Sequence, residues 1–127
     1  MAVVLLLCGW LLLAGCGDRE EAPARVTELV VRLDRDGPQG PEAAKELRLS
    51  CDEGDASAAC RAAGRLKPRD FGPVPDNVAC TDIFGGPQTA RIAGTLRGER
   101  VSASFSRSDG CEINRWETVA PLLAEVR

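Results

Sequence analysis

From Thr27 to Leu33 the chain alternates, with Thr27, Leu29, Val31 and Leu33 on one face and Glu28 and Arg32 on the other. A period of two over seven residues predicts a half-buried strand. Asp34 to Pro41 (Asp-Arg-Asp-Gly-Pro-Gln-Gly-Pro) then predicts a turn-rich loop. Leu47, Leu49 and Cys51 alternate with Arg48 and Ser50, which gives a second strand. Asp55 to Ala63 is alanine-rich, with Asp55 as an expected cap and Gly64 just past the end. It predicts a short helix that turns Ala59, Ala63 and Leu66 towards the sheet. Lys67 to Ala79 contains Pro68, Pro73 and Pro75, and no regular element is expected there.

Beyond Cys80, Ala90, Ile92, Gly94 and Leu96 alternate with Thr89, Arg91, Ala93 and Thr95. Arg97-Gly98-Glu99 turns the chain, and Val101, Ala103 and Phe105 alternate with Ser102, Ser104 and Ser106. This is the pattern of an antiparallel hairpin with one apolar and one wet face. Ile113 to Trp116 is expected to form a final strand. The architecture predicted from the residues is α+β, one antiparallel sheet with a helix on its apolar face, without internal repeat or second domain.

The first residues change the picture of where this domain lives. Ala2 to Leu13 are almost wholly apolar, a run shorter than the about 20 residues that span a bilayer. The run ends in Leu13-Ala14-Gly15-Cys16, which resembles the cleavage box of bacterial lipoproteins. Residues 1–15 are therefore expected to be an export signal, and Cys16 the lipidated residue. The polar stretch 16–25 is expected to be a tether reaching roughly 3 Å per residue. The domain itself is expected over 26–127, held at the cell membrane on the extracytoplasmic side.

Charge and composition remove most other functions. The net charge is −3, and no basic face supports nucleic-acid binding. No histidine or tyrosine is present, which excludes Ser-His, Cys-His and His-metal chemistry. Nineteen acidic residues could supply a carboxylate pair, but no aromatic platform for a sugar accompanies them. Gly85-Gly86-Pro87 lacks the lysine and following helix of a phosphate loop. No enzyme, cofactor or metal is expected.

Cys51, Cys60, Cys80 and Cys111 remain after the signal and the lipid site, an even set in an exported chain. Two disulfides are expected, and four cysteines permit three connectivities. Pairing in chain order would close one short and one longer loop, each contributing about 2.5–3.5 kcal/mol. Only three phenylalanines and two tryptophans are present, so such staples matter. A zinc site is disfavoured without a C-x2-C pair or a histidine.

The segment Val78-Ala79-Cys80-Thr81-Asp82-Ile83-Phe84-Gly85-Gly86 stands apart: a proline-rich approach, a cysteine, four side chains of exposed type, then a glycine turn. A segment held extended in advance loses little entropy on docking into a cleft. Ala79-Cys80-Thr81, Gly85-Gly86-Pro87-Gln88, Gly94-Thr95, Phe105-Ser106-Arg107 and Gly110-Cys111-Glu112-Ile113, with Cys51 and the Ala59-Cys60 helix, carry a further signal. In these residues the chain resembles the subtilisin inhibitor family of actinobacterial secreted proteins, over roughly Val26 to Leu123. The resemblance implies an antiparallel five-stranded sheet with two helices, disulfides Cys51–Cys60 and Cys80–Cys111, and often a homodimer. It also implies a reactive loop at Cys80, Thr81, Asp82, Ile83 and Phe84. Asp82 would be the specificity residue and Asp82–Ile83 the scissile-type bond.

Family members commonly carry an apolar or basic side chain where this chain has Asp82. A carboxylate buried unpaired in an apolar specificity pocket costs several kcal/mol. The expected target is therefore a serine protease that prefers acidic residues. The alternative is a non-inhibitory module that keeps the fold and binds another envelope protein. A minimal carboxylate enzyme comes third. Trp116 is expected in the core or capping the sheet, and Glu112 and Arg115 are expected to pair weakly across the loop base.

Overall fold

The computed structural model describes residues 26–127. The expected export signal, the Cys16 lipid site and the tether over 16–25 lie outside the described residues. Strand β1 (Thr27–Asp34) is followed by β2 (Lys45–Cys51), helix α1 (Ala58–Arg65), a 3-10 turn (Pro68–Phe71), β3 (Gly86–Leu96), β4 (Glu99–Arg107) and helix α2 (Gly110–Leu123). The strands form one antiparallel sheet in the order β2-β1-β3-β4. The fold is α+β with two helices and two disulfides. Among the described residues the sheet has four strands, where the resemblance implied five.

The alternation read from the sequence sets the register. Leu29 lies opposite Leu49 and Gly94, and Val31 opposite Leu47 and Ile92. Ile92 in turn lies opposite Ala103. All of these residues except Gly94 and the half-buried Leu47 are buried on one face. Gly94 has φ +143°, and a Cβ there would run into the Glu28 carbonyl of β1, so the close strand approach requires glycine. Arg97 and Gly98 both have positive φ, and they make the two-residue turn that matches the twist of a hairpin.

The expected strand at Ile113–Trp116 is instead part of α2. Asp109 caps this helix, its carboxylate accepting from the Glu112 N–H at 2.9 Å. Val119, Leu122, Leu123 and Val126 then join Leu29, Val31, Ile92 and Phe105 in the core. Full burial of each such side chain is worth about 1.5–3 kcal/mol, which a four-residue strand at the edge could not match. Trp116 is half-buried and packs against this cluster. Pro121 sits exposed in the last turn of α2, where it breaks little of the helix ladder.

Helix α1 also departs from the expected boundaries. Its cap is Ser57, whose hydroxyl accepts from the Cys60 N–H at 3.2 Å, while Asp55 accepts from the Ser57 N–H at 2.8 Å. Gly64 lies within the helix, and Leu66 ends it. Ala63 and Leu66 are buried and Ala59 packs on the core, as the spacing requires. The proline-rich stretch contains one regular turn, Pro68–Phe71, with Phe71 edge-on to Phe105 at 6.3 Å between ring centres. Residues 26–127 thus carry both disulfides, the sheet, both helices and a core of their own.

Candidate functional site

Residues 81–85 belong to no strand or helix, and Thr81, Asp82, Ile83 and Phe84 are all exposed. Among the described residues the exposed large apolar side chains are Val78 at 47%, Ile83 at 57% and Phe84 at 70%. All three belong to this one segment, on either side of Asp82. Exposed large apolar side chains gathered in one segment make it the candidate contact site among the described residues.

The loop is tied down at both ends by groups far from it in sequence. On the Thr81 side, Cys80 is bonded to Cys111 in the first turn of α2. The Gly110 N–H donates to the Thr81 carbonyl at 2.9 Å. On the other side, the Gly85 N–H donates to the Arg107 carbonyl at 2.7 Å, and Gly86 pairs with Arg107 at the start of β3. Ile113 of α2 packs beneath Gly85, where a Cβ would come within 2.9 Å of its Cδ1. The register of β3 slips between Gly86 and Ala90, so Pro87, Gln88 and Thr89 bulge out opposite Ser106.

Between these anchors the Ile83 N–H donates to the Thr81 carbonyl at 2.9 Å and closes a three-residue turn with Asp82 at its apex. The Asp82 side chain is exposed and, among the described residues, forms no ion pair. The Cys80 and Asp82 N–H groups, two residues apart, donate to no backbone carbonyl among the described residues. They are open to pairing with another chain.

The proline-rich approach at Gly72 is tied to β4 by a brace that the sequence did not foretell. Arg115 donates through Nε to the Gly72 carbonyl at 3.1 Å and through Nη1 to the Ser104 carbonyl at 3.2 Å. Its guanidinium also lies 4.8 Å from the centre of the Phe105 ring. The pair with Glu112, at 2.7 Å, lies within α2, and its side chains are only 17% and 22% exposed. It is a half-buried clamp rather than the weak exposed pair expected. The pair was expected, across the loop base rather than within a helix; the bonds to Gly72 and Ser104 depend on packing that sequence spacing does not encode.

Both expected disulfides are present, Cys51–Cys60 and Cys80–Cys111. They mark an oxidising, extracytoplasmic environment. Asp109 lies near the Cys80 and Cys111 sulfurs, but those sulfurs are bonded to each other and the carboxylate caps α2. The trio is a brace, with no thiolate to offer a metal. No helix among the described residues is long and apolar enough to cross a membrane. Compared with family models, curated proteins and solved structures, the chain matches none.

Proposed function

We propose that the chain inhibits a serine protease by presenting residues 80–84 to the protease cleft as a substrate-like segment. Asp82 enters the specificity pocket, and Thr81, Ile83 and Phe84 fill the neighbouring subsites. One observation carries this reading: an exposed, unpaired carboxylate flanked by exposed apolar side chains, on a loop anchored at both ends. Such anchoring means that little conformational entropy is lost on docking. The open Cys80 and Asp82 N–H groups suit antiparallel pairing with the cleft wall.

The same anchors explain how a scissile-type bond can survive. Hydrolysis of Asp82–Ile83 would leave the Asp82 end held through Thr81, Gly110 and the disulfide. The Ile83 end would stay held through Gly85 and Arg107. Ends kept at high effective concentration favour rejoining over departure. A carboxylate at the apex selects a pocket that offers positive charge or several donors, hence a protease preferring acidic residues. With the export signal over 1–15 and lipid on Cys16, the inhibitor works at the cell surface.

The test is an inhibition titration of residues 18–127 and an Asp82→Leu variant against subtilisin, chymotrypsin, trypsin and a glutamate-specific serine protease. The second reading, a non-inhibitory module, is favoured by the apolar trio Val78, Ile83 and Phe84, which would serve any protein contact. It requires no particular dependence on Asp82, and the same variant separates the two.

A further inference from the structure

We propose that the exposed hollow over Arg32 and Arg91, closed on one rim by Glu112 and Arg115 of α2, binds a phosphoryl group, with the two arginines as the cationic pair that holds it. The two arginines are direct cross-strand partners of β1 and β3, and both are exposed. Like charges placed opposite each other in an antiparallel ladder repel, so the pair calls for an anion between them.

The protein's own carboxylates do not pair with either arginine: Asp34, two residues on from Arg32 along β1 and in the same hollow, forms no ion pair among the described residues. Glu46, opposite Arg32 on β2, pairs with Arg48 at 2.9 Å. Glu112, on the rim of the same hollow, pairs with Arg115. Arg91 reaches only neutral partners, the hydroxyls of Ser104 at 3.4 Å and Ser102 at 3.3 Å. Among the described residues, neither Arg32 nor Arg91 forms an ion pair.

The hollow around them measures about 540 Å³ and is also lined by Asp34, Thr89, Ser104 and Ser106. Two guanidinium forks match the oxygens of a phosphoryl group, and hydroxyls can donate to those that remain. Asp34 opposes such a ligand by its charge, and its own Oδ1 is buried without a partner. The ligand is a soluble phosphate or the head of an anionic phospholipid, and both offer the same recognition chemistry. The hollow includes no residue of the loop at 80–84, although it shares the Glu112–Arg115 pair with the brace described above.

The experiment titrates isotope-labelled residues 18–127 with inorganic phosphate at fixed ionic strength, following backbone amide shifts. A second arm measures cosedimentation with phosphatidylglycerol-containing vesicles against pure phosphatidylcholine vesicles. Saturable shifts at Arg32, Arg91, Ser102 and Ser104 are expected. Arg32→Gln with Arg91→Gln should weaken binding by about tenfold or more, and Asp34→Asn should tighten it. Binding to phosphate alone assigns a soluble ligand, whereas vesicle binding lost in the double variant assigns a lipid head. Binding to neither probe overturns the proposal, as does binding that the double variant leaves within about twofold. Unshifted amides in the core of the double variant verify that its fold is intact.

Discussion

Gly110 and Thr81 touch so closely that a side chain on Gly110 would collide with the Thr81 hydroxyl, while the Gly110 N–H holds the Thr81 carbonyl at 2.9 Å. Thr81, the residue before the loop apex, is thus seated directly on the first residue of α2. Gly110→Ala must push Thr81 away although alanine suits the helix itself. Inhibition should weaken by about tenfold or more, with the thermal midpoint changed little. Inhibition constants and melting curves measured on the same samples check this.

The two disulfides should separate in their effects. Cys80–Cys111 closes a sequence separation of 31 and Cys51–Cys60 one of 9. By the loop-entropy relation, removing the first costs about 3.5 kcal/mol and the second about 2.5 kcal/mol. Urea unfolding of the paired alanine variants measures both. Inhibition should be lost only with Cys80–Cys111, because Cys51–Cys60 ties α1 to β2 and does not touch the loop.

Arg97 links the hairpin tip to the end of α1. It adopts φ 47°, and its guanidinium donates to the Leu66 carbonyl at 2.6 Å and the Gly64 carbonyl at 3.5 Å. A cation there also suits the negative end of the helix. Arg97→Ala should destabilise the domain by about 1–2 kcal/mol in urea titration and leave inhibition unchanged.

Asp55 gives a pH dependence of known sign. The Ser57 N–H, then the Ser57 hydroxyl, hold its carboxyl below the ordinary value of 3.8. A group with a lowered folded-state pKa stabilises above the unfolded value and loses that contribution as pH falls through the folded one. Asp55→Ala should therefore be less stable than the parent at neutral pH. The difference should close in acid below 3.8, as read from urea midpoints at several pH values.

How far the sequence disclosed this structure depends on the range of the forces involved. The four strands were legible over 27–33, 47–51, 89–96 and 101–106, within the observed 27–34, 45–51, 86–96 and 99–107, because a period of two reports which face is buried. Helix α2 was missed although Val119, Leu122, Leu123 and Val126 have helical spacing and Asp109-x-x-Glu112 is a capping pattern. Pro121 and the short run at Ile113–Trp116 obscured it. In the loop, the composition around Cys80–Gly86 pointed to a segment that is exposed and anchored at both ends. Their fixation by Gly110, Ile113, Arg107 and Arg115 was not legible, since each contact joins segments brought together only by the fold.

The most direct test of the loop's role is the inhibition constant of residues 18–127 against a glutamate-specific serine protease, beside that of Asp82→Leu. Tight inhibition by the parent is expected, with the leucine variant losing it and gaining potency towards subtilisin. If neither protein inhibits that enzyme, subtilisin, chymotrypsin or trypsin, the loop is not a reactive loop and the binding-module reading takes its place.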